Sequence, residues 1–154
     1  MKLPADNELK QTFFDLLATP ITVTPLPACT IDKKNAAIGD FTGHGHLVLA
    51  VADLNFANKS GAAMTLIPAA EAERGVRTND IPEGIIENYS EVLNVLGGLL
   101  NMQNQIHLLF GKVYRPGKDP LPPEAAAILA KPAVQANFNV QIGKYGEGKF
   151  TLMA

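Results

Sequence analysis

The longest regular pattern in this chain runs from Asp80 to about Met102, DIPEGIIENYSEVLNVLGGLLNM, and its apolar positions recur at the spacing of an α-helix. At about 100° per residue, Ile85, Tyr89, Val92, Leu93, Leu96, Leu99 and Leu100 fall on one side, which predicts a helix laid by that side against a sheet. Glu83, Glu87, Glu91, Asn94, Gly98 and Asn101 form the opposite stripe. Asp80 is the expected cap, with Pro82 near the first helical position.

The rest of the chain alternates between helical and strand patterns. Leu9, Phe13, Leu16 and Leu17 predict a first helix capped by Asp6 and closed at Thr19-Pro20. Residues 21–31 are β-branched but carry Pro25 and Pro27, so they predict an edge or irregular strand, followed by a turn at Asp32–Asn35. Residues 36–41 and 46–54 predict a hairpin around Thr42–Gly45, its second strand buried on both faces. An alanine-rich stretch predicts a short helix from Ser60 and another turn of helix from Pro68, then a surface loop over 75–80. Residues 105–114 predict a strand, 115–123 a proline-rich loop and 124–130 a short helix. Val134, Ala136, Phe138, Val140 and Ile142 alternate with polar residues, and KFTLM (149–153) returns as the partner strand. Together these elements predict an α+β fold: one domain over 1–154, a largely antiparallel sheet and long helices packed on one face.

Composition narrows the function classes. With 47% hydrophobic residues in 154, the chain can bury one sizeable core. A formal charge of −2 gives no electrostatic footprint for nucleic acid, which leaves a protein or a small molecule as the expected partner. One cysteine, Cys29, excludes an intrachain disulfide framework, and MKLPADNELK is too polar for the core of a signal peptide. The expected compartment is the cytoplasm. No apolar run reaches the roughly 18–20 residues of a membrane span.

Familiar site chemistries are missing. The glycines of GDFTGHG and GKYGEG match neither a phosphate loop nor a dinucleotide fingerprint, and Ser60 and Ser90 lack a nucleophile elbow. His44 and His46 have no further Cys or His nearby to complete a metal site, so no metal is expected on this chain. His107 reads as a core or sheet-face residue, and Cys29 as a small hydrophobe. The helical stripe remains. One reading makes it a solvated helix face. Against that, Asn94 is a poor mid-helix residue and Gly97-Gly98 each cost about 1 kcal/mol relative to alanine. Glycines there let another backbone approach, and Glu91 one turn before Asn94 sets a cation partner beside a water-orienting amide.

Glu91-Val92-Leu93-Asn94, followed by Gly97 in the middle of a long helix, resembles the CheC/CheX family of chemotaxis phosphatases, which includes relatives in the flagellar switch. The order of elements matches over nearly the whole chain, and a single motif helix is closer to the CheX branch. The resemblance implies an aspartyl-phosphate phosphatase acting on a CheY-type response regulator. Asn94 would orient the attacking water and Glu91 would dock on the regulator's lysine. Mg²⁺ is expected on the regulator, and no cofactor on this chain. Glu87, Gly97, Gly98 and Pro116 are the implied partner-binding positions; Glu87 stands where the family favours Asp or Ser, and Pro116 is one residue short of the family's downstream proline. A homodimer through strand edges such as KFTLM is a further implication. Two alternatives stay open: a non-catalytic adaptor of the same fold, and an unrelated α+β enzyme using a metal at His44 and His46.

Overall fold

Alternation of apolar and polar residues turns 135–142 into a strand with Phe138, Val140 and Ile142 buried, in a computed structural model that describes residues 1–154. In chain order the elements are α1 (Asp6–Leu17), β1 (Ile21–Leu26), β2 (Ala37–Gly43), β3 (His46–Ala52), α2 (Leu54–Met64), α3 (Ala69–Arg77), α4 (Glu83–Asn104), β4 (Leu109–Tyr114), α5 (Pro123–Ala130), β5 (Gln135–Ile142) and β6 (Gly146–Met153). The six strands form one antiparallel sheet in the order β1-β5-β6-β3-β2-β4. The α+β class expected from the pattern is the observed one.

The main core lies between one face of this sheet and the helices α1, α2 and α4. Phe13, Phe56 and Phe150 meet there with ring centroids 4.8–6.0 Å apart. Such tilted and edge contacts add about 0.5–1.5 kcal/mol per pair to simple burial. Residues 48–52 of β3 are all buried, because the second face is covered too. There α5 and the 115–123 loop lay Ala125, Leu121 and Ile128 on Ile38, Leu49, Val51 and Met153. The long helices thus share one face, as expected, while the short α5 closes the other.

Several local expectations are corrected. The cap of α1 is Ala5, whose backbone N–H donates to Glu8 Oε2 at 2.8 Å; Asp6 is already helical. Helix α2 starts six residues before Ser60, because the Asp53 carboxylate caps it by accepting from Phe56 N–H at 2.8 Å. That carboxyl is pushed above the usual range by burial. The earlier start carries Asn58, Lys59 and Ser60 into the interior, where Ser60 donates to Phe56 O one turn back while Asn58 and Lys59 reach distant carbonyls. Asn58 donates to Asp80 O at 2.9 Å and Lys59 to Glu147 O at 3.1 Å. Residues 75–77, expected in a loop, complete α3. Asp80 does not cap α4: Pro82 holds that position, and the Asp80 carboxylate accepts from Lys118 Nζ at 2.8 Å. His107 is exposed just before β4 rather than on the sheet face.

The sheet has two edges, β1 and β4, and KFTLM belongs to neither. It lies in β6, hydrogen-bonded to β5 on one side and β3 on the other, so it offers no free edge to a second copy. Pro25 sits within edge strand β1, where it has no N–H to offer, and at a bulge in the β2–β4 pairing the Asp40 carboxylate accepts from Lys112 N–H at 2.9 Å. Proline, lysine and a bulge are the features that blunt exposed edges. No helix is long and apolar enough to cross a membrane.

Candidate functional site on helix α4

Helix α4 is held by its inner face. Ile85, Tyr89, Val92, Leu93, Leu96, Leu99 and Leu100 are all buried, each worth about 1.5–3 kcal/mol when fully withdrawn from water. That sum outweighs the roughly 1 kcal/mol cost of each interior glycine and the smaller cost of asparagine. The Tyr89 hydroxyl sits in this core without a partner, and burial pushes its pKa up, with the charge of Asp53 adding to the effect.

The outer face carries Glu83, Glu87, Glu91, Asn94 and Gly98, all exposed. Glu91 and Asn94 therefore stand one turn apart on the same surface. Three other asparagines of α4 are half-buried and bonded to other parts of the protein. Asn88 donates to Gly61 O at 2.9 Å and to Thr65 Oγ1 at 2.7 Å, joining α4 to α2. Asn101 grips both backbone groups of Leu108, accepting from its N–H at 2.7 Å and donating to its carbonyl at 3.0 Å. Asn104 does the same for Lys2, at 2.8 and 3.0 Å. Asn101 lay on the expected functional stripe, but its amide is committed to the turn before β4.

The two glycines separate in the same way. Gly97 is buried, and a Cβ there would meet the Phe41 ring at 3.3 Å. The expectation that it shares the partner surface is corrected: its lack of a side chain lets β2 approach α4. A Cβ on Gly98 would meet nothing within 4 Å. Pro116 also leaves the group. It is half-buried in the β4–α5 loop and lines a small cavity with Ala36, Ile38 and Leu129, on the α5 side of the sheet.

Two grooves flank the stripe. Between α1 and α4 a groove of about 460 Å³ is lined by Thr12, Asp15, Leu16, Val95, Gly98, Leu99 and Met102. Sequence reasoning did not associate α1 with the stripe; the only local hint is Phe14, a large apolar residue left 48% exposed beside Asp15. Between α4 and β4 a more polar groove holds Glu83, Ser90, Lys112 and Arg115. Its cations are engaged by Asp119, Arg115 Nε at 3.1 Å and Lys112 Nζ at 4.0 Å; the Arg115 backbone N–H, donating to Asp119 Oδ2 at 2.9 Å, and after it the Arg115 side chain hold the Asp119 carboxyl below its usual range. Helix α4 has three glutamates and no lysine or arginine, and neither those glutamates nor Asp15 joins an ion pair. His44 and His46 are both exposed at the β2–β3 turn, where His44 adopts φ 51°, and no group of three or more His, Cys, Asp or Glu gathers anywhere with metal-binding spacing.

No protein-family model matches the sequence, and no curated protein matches it. Solved structures match in fold. The FliM middle domain from H. pylori superposes with a TM-score of 0.66 at 5% identity, over 96% of this chain and 83% of that one. The CheX–CheY complex with BeF3 and Mg²⁺ from Borrelia burgdorferi gives a TM-score of 0.54 at 13% identity, over 96% and 92% of the two chains. CheX from Vibrio vulnificus gives 0.50 at 12% identity, over 96% and 93%. A six-stranded antiparallel sheet with α4 across one face thus gives this chain the fold that CheX and the FliM middle domain share.

Proposed function

We propose that this chain is a phosphatase for the aspartyl phosphate of a CheY-type response regulator, with Asn94 orienting the attacking water and Glu91 docking on the regulator's active-site lysine. The observation that carries it is the exposed pair itself: Asn94 reaches solvent one turn from Glu91, while Asn88, Asn101 and Asn104 of the same helix are tied internally. A CheX of the same fold has been solved in complex with CheY, BeF3 and Mg²⁺, which agrees with such a partner.

The chemistry asks little of this protein beyond position. The water oxygen forms a bond to phosphorus as the bond from phosphorus to the aspartyl oxygen breaks in line, and the water's proton leaves with the phosphate. The departing carboxylate is a good leaving group. Charge on the transferring phosphoryl group is neutralised by the regulator's own Mg²⁺ and lysine, and the Asn94 amide holds the nucleophile in line. Glu91 contributes by fixing the lysine and the docking angle. The test is the decay of a panel of phosphorylated CheY-type regulators with substoichiometric amounts of this chain. Acceleration with turnover is expected, and Glu91→Ala should raise the concentration needed for half-maximal effect. Unchanged decay across the panel overturns the proposal.

A second reading is a non-catalytic adaptor that docks on a regulator by the same stripe. It is favoured by the place of Pro116 on the α5 side of the sheet, away from Glu91 and Asn94. Equal affinity for phosphorylated and unphosphorylated regulator, without faster decay, is its signature.

A further inference from the structure

We infer that the groove between α1 and α4 seats an apolar side chain of the docked regulator, with a lysine or arginine beside it that pairs with Asp15. This rests on the docking of a regulator at Glu91 and Asn94 and adds the chemistry of the surface it must present. The first observation is Gly98. A mid-helix glycine weakens a helix relative to alanine, and unlike Gly97 this one is not required by any neighbour, since a Cβ there meets open space. Its missing side chain instead forms part of the groove, between Leu16, Val95 and Met102. Met102 is 72% exposed and Val95 36% exposed, so the walls are apolar surface left facing water.

The second observation is charge. Asp15 lines the groove, takes one hydrogen bond from Gln11 Nε2 at 2.7 Å, and joins no ion pair. Glu91 follows on the same helix face, seven residues or about 10 Å along the axis from Gly98, and the helix carries no cation, so the surface is complementary to a basic partner. The third is place. Gly98 is four residues, about 6 Å along the axis, from Asn94. A protein that brings its phosphate to Asn94 overlies this groove, which commits the occupant to the regulator.

The test is titration of the chain with a CheY-type regulator held in its phosphorylated-like state by beryllium fluoride and Mg²⁺. Gly98→Leu fills the groove from a position with free space, and is expected to weaken binding about tenfold or more while the melting temperature holds. Asp15→Lys should weaken binding by a similar factor and flatten its salt dependence, and Asn94→Ala should bind within about threefold of wild type. Asp15→Asn serves as a surface variant if Gly98→Leu fails to fold. A wild type that binds and accelerates decay while Gly98→Leu and the Asp15 variants bind within twofold of it overturns this inference alone. A wild type that neither binds nor accelerates decay removes the docking on which it rests. A wild-type dimer that Gly98→Leu converts to monomer assigns the groove to a second copy and overturns the inference as well.

Discussion

The middle and the C-terminal end of α4 carry the same residue types and use them differently. At the end, Asn101 and Asn104 each close two hydrogen bonds on a backbone, fastening Leu108 and the N-terminal segment to the helix. In the middle, Asn94 faces water, and so does Gly98, although Gly97 next to it is pressed on Phe41. Asparagine and glycine both disfavour a helix interior. Where an internal partner explains them they are part of the fold; at Asn94 and Gly98 none does, and it is on these two that the proposed docking surface rests.

The sharpest way to break that comparison is at the two glycines. Gly97→Leu must push Phe41 aside and is expected to destabilise by about 1–3 kcal/mol, read by urea denaturation. Gly98→Ala should instead stabilise by about 0.5–1 kcal/mol. Equal effects would mean that the two positions do not differ as described. At the asparagines, Asn101→Ala leaves both backbone groups of Leu108 without their partner and should cost about 1–3 kcal/mol. The folded variant should keep whatever effect the wild type has on phospho-regulator decay.

The smallest effect concerns the start of α4. The hydrogen bond from Lys118 holds the Asp80 carboxyl below its usual range. A carboxyl lowered in the folded state adds stability above its unfolded pKa and loses it as pH falls through the folded value. Asp80→Asn should therefore be less stable than wild type at pH 7, by no more than about 1 kcal/mol for so exposed a pair. The gap should close in thermal melts below the ordinary carboxylate range.

Much of this architecture is written in local periodicity. The alternation at 134–142 and the stripe of α4 needed no tertiary information, because one face of each is apolar. What escaped local reading depends on partners far along the chain. Asn58 and Lys59 look like surface residues, yet they are buried because Asp80 O and Glu147 O wait for them. Asp80 looks like a cap until the loop after β4 brings Lys118 to it. Gly97 and Gly98 are indistinguishable in sequence, and the position of Phe41, more than fifty residues earlier, separates them.

The candidate site divides in the same way. Glu91 and Asn94 were legible because helical period alone sets them one turn apart on the solvent side. Pro116 was not placed correctly, since its loop folds toward α5. The groove that Asp15 and Leu16 line beside Gly98 was invisible, because only packing brings α1 alongside α4.

The most direct measurement is the decay rate of a Mg²⁺-bound, aspartyl-phosphorylated CheY-type regulator with wild-type chain and with Asn94→Ala. The wild type is expected to accelerate decay, and the variant to lose about 100-fold of that acceleration while melting at or above the wild-type temperature. An Asn94→Ala protein that accelerates decay as well as the wild type would contradict the role given to this amide.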